Sequence, residues 1–386
     1  MLDDKARQWF GDKYRILIDK GIDGFWNDMN EPAIFYSEKH LKEVFEKMED
    51  YKKMNLDVNT FFEMTGMIGG ICNNPEDYAS FYHNYKGRRY RHDQVHNLFG
   101  YYMTRSASEA FERYVPEKRI LLFSRASYIG MHRFGGIWQG DNASWWSHLE
   151  MNVKMMPSLN MCGFLYTGAD VGGFGADATE DLVLRWLEFA VFTPLLRNHS
   201  ARGTRRQEVY RFSHVEKFAD VIGVRYQILP YIYSEYMKAA LQNTMMFNPL
   251  AFLYGEDALA GQVEDQLFIG ENVMVAPVCE QNMSGRVVYF PERMKQLIFK
   301  NGIVEEGKVY EKGFSYVEMP MGTVHVFLRE GYLFPVAKGG KCVEDVDFED
   351  LTLYSFGEEI KPYEYYLDDG ETKDFTIESH IRMLSC

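Results

Sequence analysis

Through the first two-thirds of the chain, short apolar runs that end in polar residues alternate with longer stretches of helical period. This alternation restricts the fold more than any other feature. Residues 21–28, 119–124, 163–167 and 195–197 read as strands. Residues 95–114 (ending near Pro116), 145–156 (stopped at Pro157), 180–192 (stopped by Pro194) and 214–241 (with Pro230 inside) read as helices. Strands separated by helices imply βα units and a parallel sheet. Chemistry-bearing residues just past the strand ends fit a (β/α) barrel, whose sites lie at the C-terminal face. A doubly wound sheet gives a similar rhythm, but no GxGxxG turn follows the first strand.

Residues 37–75 interrupt this rhythm. They are Lys/Glu-rich and then apolar with glycines, and read as an insertion over the sheet's C-terminal face, with a packing role an equal alternative. From about Glu271 the segments become short and β-rich, with Gly and Asn between them, as in small β-sandwiches. The organisation expected is a catalytic α/β domain over 1–270, a proximal β-sandwich over 271–340 and a distal β segment over 341–386. A chain of 386 residues, 46% of them hydrophobic, can bury cores of that size.

The formal charge of −14 repels polyanions, so neither nucleic acid nor an anionic membrane is an expected partner. The run Arg88-Arg89-Tyr90-Arg91 is too short to change that and reads as a solvated or salt-bridged edge. Cys72, Cys162, Cys279, Cys342 and Cys386 are odd in number and far apart, with no CxxC. They suit a reducing compartment, and a cytoplasmic location is expected. The opening MLDDKARQWFGDKYR has no apolar core of a signal peptide, and no stretch reaches 18 apolar residues.

Several acidic residues stand at strand ends. Asp28 lies in Gly24-Phe-Trp-Asn-Asp-Met-Asn-Glu31, with Trp26 and Met29 as apolar flanks and Asn30 and Glu31 close behind. That polar density is costly unless something is hydrogen-bonded there. Asp141 lies in Gly135-Gly-Ile-Trp-Gln-Gly-Asp141, where glycines permit close backbone approach. Each Asp taken alone also reads as a cap or a turn residue. Asp170 and His199 follow later strands, and Arg125 is placed to pair with a carboxylate. Two carboxylates on separate strands are what glycoside hydrolysis requires, one ionised and one protonated near neutral pH. Their mutual repulsion drives the two pKa values apart. No HExxH or His/Cys cluster suggests a metal, and no cofactor is expected.

Together these residues resemble family-31 glycoside hydrolases, the α-glucosidase, maltase and isomaltase group. Residues 24–31 are similar to that family's nucleophile signature. Gly168-Ala-Asp-Val-Gly-Gly-Phe174, continuing through Arg185-Trp186 to Asn198, resembles its second signature. Arg125-Ala-Ser followed by Trp138-Gln-Gly-Asp-Asn142 resembles its acid/base segment, and His92-Asp-Gln-Val-His-Asn-Leu98 its helix after strand four. Asp265-Gln-Leu-Phe-Ile-Gly270 with Val275-Ala-Pro277 resembles its barrel exit. The resemblance implies Asp28 as nucleophile and Asp141 as general acid/base. It also implies Trp26, Met29, Arg125, Trp138, Asp170, Phe174 and His199 as substrate-binding residues, with an α-glucoside oligosaccharide as substrate.

One departure stands out. In the family the nucleophile follows barrel strand four, and here it is residue 28. A whole barrel takes ~250 residues, so about strands 4–8 of a (β/α)8 TIM barrel are expected here. The chain is then expected to be a fragment, a mis-started reading frame or one of two complementing pieces. A homo-oligomer or a complementing N-terminal half would be its partner. Alternatives are a catalytically incompetent fragment or subunit, and an α-xylosidase or transglucosidase of the same family.

Overall fold

The computed structural model describes residues 1–33 and 35–386 and divides into two units, Met1–Ile137 and Trp138–Cys386. In the first unit the strand Gly24–Asn27 runs parallel to Leu121–Ser124, with Phe25 opposite Leu122 and Asn27 opposite Ser124. Leu121–Ser124 in turn runs parallel to Gly136–Ile137. Parallel neighbours need a long crossover, and the helix His92–Tyr114 lies within it. That helix stops one residue short of Pro116, where the proline ring disfavours helical backbone at Val115.

The two-residue period of Gly24–Asn27 divides its labour. Phe25 and Asn27 are buried, whereas Gly24 and Trp26 are exposed. Phe25 packs with Tyr14, Ala107, Phe111 and Leu122, and Asn27 accepts a 2.5 Å hydrogen bond from the Tyr14 hydroxyl. On the other face the Trp26 ring lies nearly parallel to Phe123, 6.0 Å away. One face of the strand builds the core and the other carries the exposed Trp26.

The interrupting segment is helical. Ser37 caps the helix Glu38–Tyr51, and Asp57 forms a capping box with Thr60 at the start of Val58–Gly69. A third helix, Pro75–Ser80, carries the buried Asp77, which accepts from Ser37 N (3.2 Å) and contacts His40 Nδ1 (3.0 Å). The basic run is the strand Arg88–Arg91 of a hairpin with Tyr82–Tyr85. Arg91 pairs with Asp93 and Arg89 sits 4.0 Å over the Tyr82 ring, as a salt-bridged edge should.

In the second unit Asp170–Val171 pairs in parallel with Arg197–Asn198. The helices Trp146–Met161, Glu180–Ala190 and Val215–Gln242 contribute to a core that includes Trp186, Tyr231 and Phe334. A six-stranded antiparallel sheet follows, in the order 303–310, 294–300, 324–329, 273–275, 267–269 and 247–249. Its strands begin at Phe247, upstream of the point where the sequence changes character.

Two expectations are corrected here. The helix does not stop at Pro157 but continues to Met161 with the proline inside. Val153, Met156, Pro157 and Asn160 are all buried, and Asn160 Oδ1 accepts from Met246 N and Phe247 N. These contacts offset the hydrogen bond the proline removes. Residues 163–167 are not a ladder strand; the pairing starts only at Asp170, and Thr167 and Gly168 bond singly to Leu195 N and Gln139 N.

Candidate active site

In the first unit Asp28 stands one residue past Asn27, where the ladder ends. Met29 takes a left-handed backbone (φ 54°), and its N–H donates to Asp28 Oδ1 at 2.8 Å. The same oxygen lies 3.2 Å from Arg125 Nη1. Arg125 is held from behind: its Nε donates to Glu31 Oε1 (2.8 Å) and its Nη2 to Glu31 Oε2 (3.0 Å). This planar fork fixes the guanidinium so that its remaining nitrogen reaches Asp28. Asn30 is buried and ties the loop to the next strand end, donating to Ser124 Oγ (2.8 Å) and accepting from Ala126 N (2.9 Å). The polar density after Asp28 is thereby accounted for. Trp26 and Met29 remain 38% and 43% exposed, beside a carboxylate that is also open to solvent.

In the second unit Asp170 is wholly buried. Its Oδ1 accepts from Arg197 Nη2 (2.5 Å) and Nε (3.1 Å). Its Oδ2 is buried and accepts no hydrogen bond among the described residues. Burial pushes this carboxyl above the usual carboxylate range. Arg197 and His199 pull it back, and the charge of Asp141 adds to the rise. The Arg197 guanidinium lies 5.6 Å over the ring of Trp138, which is buried. The Phe174 and His199 rings stand 5.1 Å apart.

Asp141 is exposed, and its neighbour Asn142 is buried and anchors the loop. Asn142 Nδ2 donates to Asn152 Oδ1 (2.9 Å) and Asp170 O (3.1 Å), while its backbone oxygen accepts from Phe174 N and Gly175 N. Gly173 makes this closeness achievable. Its φ is +89°, and a Cβ there would stand 2.4 Å from Ser144 N. Gly173→Ala should therefore cost ~2–3 kcal/mol, from left-handed strain plus backbone overlap. A lowered urea midpoint with an unchanged slope would show it; an unchanged midpoint would contradict the contact.

Of the residues singled out in the sequence, Asp28, Arg125, Trp26 and Met29 gather in the first unit. Asp141, Asp170, Trp138, Phe174 and His199 lie in the second. Sequence reasoning missed two partners, Glu31 behind Arg125 and Arg197 beneath Asp170. Arg197 had one signal, a charge at the end of an apolar run two residues before His199.

Residues 1–235 match the model of the glycosyl hydrolases family 31 TIM-barrel domain, and residues 243–334 that of the family's C-terminal domain. "Alpha-glucosidase 2" of Bacillus thermoamyloliquefaciens is 29% identical over 384 residues, 98% of this chain and 43% of that protein. A Flavobacterium johnsoniae GH31 dextranase complexed with glucose has a similar fold, with a TM-score of 0.76 at 24% identity, covering 97% of this chain and 42% of that one. The GH31 alpha-xylosidase of Xanthomonas citri does too, with a TM-score of 0.70 at 21% identity, covering 96% and 38%. This chain thus spans less than half the length of these relatives. Its α/β part belongs to a TIM-barrel domain and its β-rich part to the domain that follows. With the family's barrel model matched over more than half of its residues, the chain belongs to glycosyl hydrolase family 31.

Proposed function

We propose that the chain carries the catalytic residues of a retaining, exo-acting α-glucosidase, with Asp28 as nucleophile and Asp141 as general acid/base. The observation that carries this reading is the Glu31–Arg125–Asp28 series. A cation clamped by one carboxylate and turned toward a second holds that second, solvent-open group in place at the strand end, as a positioned nucleophile needs. The similarity to an α-glucosidase over nearly the whole of this chain supports the choice of glucose. Because the chain covers 43% of that relative, the activity proposed is that of the whole protein.

In the first step an Asp28 oxygen bonds to the anomeric carbon while the Asp141 carboxyl gives its proton to the departing oxygen. In the second, Asp141 takes a proton from water, whose oxygen attacks the same carbon and frees Asp28. Two inversions give net retention. Asp170 would grip the terminal sugar, its buried, unbonded oxygen being a ready acceptor for a hydroxyl, with the rings of Phe174, His199 and Trp138 as further contacts. Proton NMR of the sugar first released from p-nitrophenyl α-glucoside by the full-length protein should show the α anomer. A β anomer first would mean single displacement and sink the mechanism. A faster α-xyloside would keep the mechanism and replace the substrate.

A further inference from the structure

Three histidines of the first unit stand in series. His83 Nε2 is 2.9 Å from His92 Nδ1, and His92 Nε2 is 3.0 Å from His96 Nδ1. His92 is wholly buried and His83 nearly so. Each contact needs one N–H and one lone pair, so neutral rings satisfy both contacts only as a run of like tautomers. A first added proton leaves the run intact, because an imidazolium simply donates at both nitrogens. A second proton on the adjacent ring does not, because two N–H groups would then face each other across 2.9 Å.

The rings around the series come from separate segments. Phe35 follows the Asp28 loop, Tyr78 closes the insertion, Phe81 opens the hairpin and Phe99 is on the helix His92–Tyr114; their centroids lie 4.7–6.1 Å from one imidazole or another. Phe35 and Asn73 also exchange backbone and side-chain hydrogen bonds, and Asn73 Nδ2 donates to Ala33 O. The two ends of the insertion therefore meet at this stack. Among the described residues, the charged and titratable groups that act on it are these: beyond burial, Asp93 on the same helix raises His92, the Met1 amino group lowers His83, and Glu31 and Cys72 act on Tyr78. The Asp77–His40 pair lies on the insertion, and Arg91 is committed to Asp93.

We propose that the His83–His92–His96 series is an acid-sensitive latch on the insertion. Neutral, it holds Phe35 and residues 78–81 against the helix His92–Tyr114; doubly protonated, it lets residues 35–81 loosen, and the loop bearing Asp28 with them. The latch depends on geometry in the first unit alone and does not need the glycosidase reading to hold. Burial pushes both His83 and His92 down to about 4, so the folded state binds fewer protons than the unfolded. The latch's contribution is whole above the ordinary histidine value of 6.5 and is lost as pH falls from there through about 4.

Hydrogen exchange of the full chain between pH 7 and 4.5, corrected for intrinsic rates, tests this. Amides of Glu38–Tyr51 and Val58–Gly69 should lose protection on acidification while the sheet strands of the second unit keep theirs. Local opening should rise ~10-fold per pH unit for each proton taken up. His83→Phe, an aromatic ring that takes no proton, should roughly halve that slope. Insertion protection that stays flat until global unfolding, or an unaltered slope in the variant, overturns the proposal. Should His83→Phe not fold, imidazole carbon resonances of the unaltered protein decide the matter. Midpoints of His83 and His92 below about 5 support the latch, and midpoints near the ordinary 6.5 refute it.

Discussion

Asp28→Gly in the full-length protein is expected to lower hydrolysis of p-nitrophenyl α-glucoside by ~10⁴-fold or more, a loss of ~5.5 kcal/mol of transition-state stabilisation. Rate alone does not separate a nucleophile from a structural residue, so the product of chemical rescue matters more. Azide can enter the space a missing carboxylate leaves and attack the anomeric carbon from that side. One inversion of an α-glucoside then yields β-glucosyl azide. Asp141→Gly should behave differently. A p-nitrophenolate leaves without an acid, so the glucosyl-enzyme still forms and waits for a water that no base activates. Azide then attacks the intermediate from the face opposite Asp28, giving α-glucosyl azide. Opposite anomers from the two variants would assign the two roles; the same anomer from both, or no rescue with either, would overturn the assignment. Arg125 remains bound to Glu31 in the Asp28 variant, so the cationic wall that attracts azide is kept.

The largest stability effect is expected at Arg185, which is 2% exposed. Its Nη1 donates to Glu188 Oε2 at 2.8 Å, and its Nη2 donates to Met283 O (2.8 Å) and Met319 O (2.9 Å). Glu188 Oε1 also accepts from Gly322 N (2.7 Å). The pair thus fastens the helix Glu180–Ala190 to the loops flanking the β-rich part. Arg185→Met should cost about 3–5 kcal/mol, because it strands a buried carboxylate and two carbonyls. Burial already pushes Glu188 up to about 7, against the pull of Arg185. A raised carboxyl favours the folded state below its unfolded value of 4.5 and loses that advantage as pH rises through about 7. Removing Arg185 raises the carboxyl further, so the deficit should be larger at pH 8 than at pH 5.5. Adding Glu188→Leu to the variant should recover much of the loss. Urea midpoints at the two pH values check this; a deficit independent of pH would show the carbonyls, not the carboxylate, to be what Arg185 serves.

Arg185 also illustrates how a sequence signature mixes two kinds of residue. It belongs to the same stretch as Asp170 and Phe174, and nothing in the letters separates a group that faces a ligand from one that locks a helix. Burial separates them, together with hydrogen bonds to residues 98 and 134 positions away. The same holds for Glu31. It was visible as one polar residue among several, but its fork with Arg125 spans 94 positions.

Features that depend on neighbours along the chain are legible in the amino-acid order alone. The period of two in Gly24–Asn27, the stop before Pro116, the salt-bridged edge of Arg88–Arg91 and the placing of Asp28 and Asp141 past strand ends follow from local pattern, whereas Asp170 opens a strand instead of following one. The passage of the helix through Pro157, the sparse pairing of residues 163–167 and the hold of Arg197 on Asp170 come from the packed fold. Those outcomes turn on burial and on hydrogen bonds between residues remote in the chain. Such contacts outweigh local propensities of about 1–3 kcal/mol whenever several converge on one residue.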